Sequence, residues 1–227
     1  WQRGWLQGEV LARQLDYWTG QLRGLPDLVL PTDRPAPAVA TFRGARRFFS
    51  LDADLVPGVE DLAKRTDTTL FMVLLAAFQV LMSRYSGQAD FPVGVPIANR
   101  VRQETEGLIG FFVNTLVLRA DLSGDPSFHQ LLARVRETSL AAFEHQDLPF
   151  ERLVEELHPR RDAGRSPLVQ VMFALQNAPE ADISTTGSVE VVEVERGTAN
   201  FDLVLDLSLR GGELGGRLEY STELFDA

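Results

Sequence analysis

"FDLVLDLSL", residues 201–209, decides the fold class. Phe201, Leu203, Leu205, Leu207 and Leu209 fall on alternate positions, with Asp202 and Asp206 between them. In a strand, alternate side chains point to opposite faces, so one face is apolar and the other wet. Gly211-Gly212 follows and fits a two-residue hairpin turn. The turn leads into a second strand, "GRLEYST" (216–222). Upstream, "LVQVMFAL" (168–175) and "VEVVEV" (189–194) read as further strands. The last third is therefore an antiparallel-looking run.

The first two thirds mix both periods. Leu6, Val10, Leu11, Leu15, Trp18 and Leu22 recur at helical spacing over 5–23, and Gly24 is a natural stop. "ARRFFSL" (45–51), "FPVGVPIA" (91–98) and "GFFVNTLVLR" (110–119) suit strands. A helix capped by Asp52 or Asp54 is predicted to run to about Arg65. An apolar helix begins after Asp67 or Thr68. A third helix has Asp125 as its cap and Pro126 in its first turn. A fourth, capped by Asp147, runs to about Leu157 and ends at His158 and Pro159. Pro26, Pro31, Pro35 and Pro37 mark an extended connector, expected to lie along the domain surface. Together these give an α/β class: a mixed, largely antiparallel sheet with helices packed mainly on one face.

Composition narrows the function. The chain has 227 residues, 44% hydrophobic, enough for a sizeable core. With no cysteine, disulfides and thiolate metal sites are excluded, and a reducing, cytoplasmic setting is the expectation. Leu70–Met82 is too short to span a bilayer, which needs about 20 apolar residues. The net charge of −10 disfavours nucleic acid or an anionic membrane as partner. Trp1 reads as a cut inside a longer polypeptide, with no secretory leader after it.

The motif with the strongest look of chemistry is "HQDLPFERLVEELHPRRDAGRSPL" (145–168). His145 could be a general base oriented by Asp147. The preferred reading is structural: Asp147 caps the following helix, where such bonds contribute about 1 kcal/mol. His129 reads as a boundary residue on a helix. His158 sits at a helix end, where imidazole and dipole agree. Arg160 and Arg161 could hold an anion or pair with nearby glutamates. Arg165, just before a strand, could be aimed along a channel. Asn114, amid apolar residues, either pins a neighbouring loop or faces a polar channel, because a buried amide without partners costs about 1–3 kcal/mol. No paired-histidine metal spacing, phosphate loop, dinucleotide fingerprint or nucleophile elbow occurs.

Three ordered stretches then carry a resemblance: "IGFFVNTLVLR" (109–119), "HQDLPFE" (145–151) and "RDAGRSPL" (161–168). With "YWTGQLRGLPDLVLPTDRP" (17–35), "SRYSGQADFPVGVPIANR" (83–100), "FDLVL" (201–205) and "LEYSTELFD" (218–226), they resemble the later motifs of condensation domains from nonribosomal peptide synthetases. The family's H-H-x-x-x-D-G element is absent from these residues.

The resemblance implies a chloramphenicol acetyltransferase-like lobe, with residues 1–227 as the C-terminal lobe of the domain. The parent would form an amide bond between donor and acceptor thioesters, with L-to-L coupling the subtype most resembled. It implies no directly bound cofactor; the phosphopantetheine arms of the carrier proteins act as substrates. The implied partners are the N-terminal lobe, the donor and acceptor carrier proteins and an adjacent adenylation domain. Crossing segments that brace the other lobe would lie within 178–215. Asn114, Thr115, His145, Gln146, Asp147 and Arg165 would stand near the substrate channel or lobe junction, with no catalytic and no metal-binding residue in the chain. Two other readings stay open: a non-catalytic module that recruits a partner protein or carrier, and an acyltransferase of the same superfold using a coenzyme A thioester.

Overall fold

The structure is a computed structural model; it describes residues 1–158, 165–176, 194 and 196–227. Six strands form one sheet: β1 (Gly44–Ser50), β2 (Asp90–Ile97), β3 (Asn114–Asp121), β4 (Val171–Gln176), β5 (Leu203–Arg210) and β6 (Glu213–Ser221). Their spatial order is β1-β6-β5-β4-β2-β3. The β1–β6, β5–β6 and β2–β3 pairs are antiparallel, and β2–β4 and β4–β5 are parallel. The sheet is thus mixed and mostly antiparallel. The last third is not a simple antiparallel run, because β4 and β5 run the same way.

The hairpin after "FDLVLDLSL" is as read from the sequence. Arg210 pairs with Glu213, and Gly211 and Gly212 both have positive φ, 57° and 86°. Two such residues define a turn whose twist matches the flanking strands, and glycine takes that conformation without steric cost. β2 is buried along most of its length, with Phe91 and Val93 fully enclosed. It meets β4 at one register position, Gly94 opposite Met172. Pro92 and Pro96 flank that point and have no N–H to donate, which limits pairing there.

The helices are α1 (Gln2–Trp5), α2 (Gly8–Gln21), α3 (Leu55–Arg65), α4 (Leu70–Ser86), α5 (Gln103–Glu106), α6 (Phe128–Glu144) and α7 (Phe150–Leu157). No single helix among the described residues is long and apolar enough to cross a membrane. α4 buries Met72, Val73, Leu75, Ala76 and Phe78 against the sheet and α6. Phe173 of β4 sits beneath it, with the Phe71 and Phe78 rings 5.7 and 5.5 Å away.

The expected caps shift. Thr69 caps α4, accepting from the Met72 amide. Ser127, not Asp125, caps α6 in a reciprocal box with Gln130. Asp54 precedes α3 without a side-chain capping bond. The proline-rich connector lies against the domain. Leu28 and Leu30 are buried, and Gln88 bonds the Val29 amide and the Asp27 carbonyl. The strand expected over 189–194 lies almost wholly outside the described residues, as do Arg160 and Arg161.

At the sheet edge, β1 starts in close contact with backbone. A Cβ on Gly44 would come within 2.5–2.6 Å of Ala199 and Thr198 atoms. Gly44→Ala is expected to lower stability by about 1–3 kcal/mol in urea denaturation, since that backbone cannot move aside cheaply.

Candidate functional site

Strand β3 begins at Asn114, four residues later than the sequence suggests. Residues 110–113 do not join the sheet, and Asn114 sits at its start rather than mid-strand. Its amide explains the break. The side-chain Nδ2 donates to the carbonyls of Gln146 (3.0 Å) and Leu148 (2.9 Å). The Oδ1 accepts from the backbone amides of Phe150 (3.0 Å) and Thr115 (2.9 Å). Asn114 is 7% exposed, so this set of bonds fully satisfies a buried amide. It pins the α6–α7 turn to the sheet.

The other side of that turn is held by α2. Trp18 Nε1 donates to the His145 carbonyl at 2.8 Å. The Tyr17 ring stacks on the His145 imidazole, centroids 4.1 Å apart and planes 11° apart. Burial pushes the Tyr17 hydroxyl up to about 12. His145 is the C-cap of α6, and its Nδ1 lies 2.8 Å from the Ala141 carbonyl. Only a ring N–H can bond that carbonyl, so Nδ1 is the donor in this contact. Among the described residues no hydrogen bond joins His145 to Asp147. Gln146 turns back, its Nε2 donating to the Phe143 carbonyl at 2.7 Å.

Asp147 does not cap α7. The helix starts after Pro149 with no capping bond from that residue, and the Phe150 amide is taken by Asn114. The long-range amide has displaced the local carboxylate. Asp147 lines an open cavity of ≈ 360 Å³ together with Trp1, Trp5, Arg102, Phe112 and Asn114. Burial pushes its carboxyl above the usual aspartate range, opposed in part by Arg102 and Arg13.

Arg165 lines a different cavity, beside Phe42 and Phe201. It pairs with Asp202 at 3.2 Å. Burial raises the Asp202 carboxyl, and Arg165 opposes this. Asn114 and Thr115 at the start of β3 therefore meet His145, Gln146 and Asp147 at the α6–α7 turn, and Arg165 joins a second place. The sequence reading missed Arg100, Arg102 and the ring contributed by Tyr17; ring contacts such as Arg100–Phe112, Arg102–Trp1 and Tyr17–His145 leave no periodic signal. His129 is exposed on α6, and His158 closes α7 in a left-handed conformation. Among the described residues no His, Asp or Glu group has a metal-binding arrangement.

The family described as Condensation domain matches residues 1–227, and the chain belongs to that family. It is 52% identical, across its whole length, to part of a linear gramicidin synthase of Brevibacillus parabrevis. It is 43% identical, again over all its length, to part of a phosphinothricin tripeptide synthetase of Streptomyces viridochromogenes. It spans 4% and 21% of those proteins. Among solved structures, the X-domain from teicoplanin biosynthesis is similar with a TM-score of 0.89 at 28% identity; the match takes in all of this chain and 54% of that one. A four-domain nonribosomal peptide synthetase matches 96% of this chain, also at TM-score 0.89 and 27% identity.

Two outcomes test the geometry. Asn114→Ala and Asn114→Asp are both expected to destabilise by about 2–4 kcal/mol in urea denaturation, because the aspartate cannot donate to the two carbonyls. Asp147→Asn is expected to raise stability at pH 7. A carboxyl raised in the fold makes its charge unfavourable there, so the native chain loses stability as pH rises from about 3.9 through the raised value. The gap between variant and native chain should close as pH falls toward about 3, below the ordinary aspartate range. Lower stability of the variant at pH 7 would restore a bonded role for the carboxylate.

Proposed function

We propose that this chain is the C-terminal lobe of a nonribosomal peptide synthetase condensation domain. The parent joins a donor aminoacyl or peptidyl thioester to an acceptor aminoacyl thioester, both held on carrier proteins by phosphopantetheine arms. The acceptor amine attacks the donor carbonyl, and the donor's carrier thiol leaves with a proton. The coupling is of the L-to-L type, and the N-terminal lobe and an adjacent adenylation domain are its neighbours. The H-H-x-x-x-D-G imidazole acts from the other lobe. A thioester is already activated, so orientation of two tethered reactants can supply much of the rate.

The observation that carries this reading is the Asn114-held turn beside an open cavity, in a chain that matches the family end to end. Asn114, Thr115, His145, Gln146 and Asp147 then form channel wall or lobe junction, with Arg165 at a second point of it. This reading assigns the reacting proton to none of them; for His145 it is supported by the ring stack and the Ala141 carbonyl, which hold the imidazole.

A second reading is recruitment without chemistry. One similar structure, at TM-score 0.87 and 28% identity, is a complex of the X-domain and OxyB from teicoplanin biosynthesis. The two readings separate in one assay. Two loaded carrier proteins are mixed with the two-lobe domain or with residues 1–227 alone. Amide product from the two-lobe domain only is expected. Product from residues 1–227 alone would overturn the division of roles, and none from either would favour recruitment.

A further inference from the structure

Strand β3 supports the α6–α7 turn twice. Asn114, at its start, does so directly. Arg119, near its other end, reaches the turn through α2. The Arg119 guanidinium forms a fork with the Asp90 carboxylate of β2, Nε to Oδ1 at 2.8 Å and Nη2 to Oδ2 at 2.6 Å. The register explains the meeting. Pro92 pairs with Arg119, and Asp90 lies two positions further along β2 on the same face, a diagonal that long side chains span. A two-bonded fork fixes the plane of the guanidinium. Its remaining nitrogen, Nη1, donates to the Gln21 carbonyl at 3.0 Å and the Arg23 carbonyl at 3.2 Å. These carbonyls lie at the end of α2, where the last helical carbonyls have no partner within the helix. α2 has no basic residue in its own last turn, so β3 supplies the cation that a helix end favours.

We propose that Arg119, held in plane by Asp90, is a positioning residue for the coupling reaction: it sets α2, and α2 sets the α6–α7 turn beside the Asp147 cavity. This rests on the condensation reading above. The path is continuous. One turn before Gln21, Trp18 is 1% exposed and donates to the His145 carbonyl at 2.8 Å, while the Tyr17 ring stacks on the His145 imidazole. Asp147, two residues on, lines the cavity. Contacts therefore close a ring that leaves β3 at Asn114, crosses the turn to Trp18, and returns along α2 to β3 at Arg119. A turn held from both sides cannot tilt about either support. Among the described residues Arg119 does not line the cavity, so it acts through Trp18. Such remote placement matters in a reaction governed by orientation, where a shift of about 1 Å can cost about 10²-fold in rate. The Arg46–Glu219 pair, also partly buried, joins β1 to β6 at the opposite edge of the sheet and provides a comparison.

The Trp18 indole N–H reports the brace without any catalysis. In the two-lobe protein its NMR resonance is assigned by its loss in W18F, and its exchange with solvent is measured. R119Q is expected to speed that exchange by about tenfold or more, because the helix end it held can open locally. In amide formation from two loaded carriers, R119Q is expected to lower kcat by about fivefold or more, with KM for the loaded acceptor within about twofold, since orientation in the bound complex is what is lost. R46Q is expected to change exchange and kcat by no more than about twofold, as befits a pair far from the turn. R119K keeps the charge and loses the fork; it is expected to shift both readouts in the same direction, and it serves if R119Q does not fold. Native-like exchange in R119Q or R119K would overturn the brace. Faster exchange with kcat no lower than in R46Q would overturn the positioning role, and so would equal losses in R46Q and R119Q. Absence of product from the native two-lobe protein would overturn the condensation reading instead, while the exchange rates still decide whether Arg119 holds the turn.

Discussion

One side chain joins the two halves of the site. The Asn114 amide carries what its position needs: two donors and an acceptor in one plane, at the first residue of an interior-facing strand end. It satisfies carbonyls at 146 and 148 and amides at 115 and 150. Without it, the α6–α7 turn would bury backbone polar groups against the sheet with no partners, a penalty of about 1–3 kcal/mol for each group. The α6–α7 side of the cavity inherits its position from that clamp. Trp18 and Tyr17 close the same turn from the α2 side.

The clamp explains why, among the described residues, Asp147 makes no side-chain hydrogen bond. A carboxylate just before a helix ordinarily serves the first free amides. Here Asn114 reaches the Phe150 amide first, and the carboxylate turns to the cavity with a raised affinity for its proton. His145 has the opposite fate: its imidazole is tied to its own helix and covered by an aromatic ring. The two residues that look most like a catalytic pair in the sequence are thereby uncoupled. What remains is a pinned turn beside an open cavity.

Local patterns made most of the fold legible. The alternation from Phe201 to Leu209 pointed to β5, and Gly211-Gly212 to its turn, because both signals lie within a few residues. The apolar run from Leu70 marked α4 for the same reason. The order β1-β6-β5-β4-β2-β3 was not readable, since parallel pairing of β4 with β5 depends on a crossover and not on either strand's pattern. At the site, the requirement that Asn114 find partners was legible, and so was the choice between a loop and a channel. Which it met was not, because its partners in the turn lie 32 to 36 residues away. The same distance hid the loss of the Asp147 cap. "GFFVN" read as strand because its composition suits one, whereas the chain turns Phe111 and Val113 outward there.

If this lobe positions reactants and leaves proton transfer to the other, removing its most base-like side chain must leave the titration of the reaction intact. The most direct measurement is the pH–rate profile of amide formation by the two-lobe enzyme with His145→Gln. The inflections of the profile are expected to stay where they are, and the rate to remain within about tenfold of the native enzyme, short of the loss that follows removal of a general base. Loss of an inflection together with a fall of about 10²–10⁴-fold, the scale of a removed general base, would contradict the division of labour between the lobes.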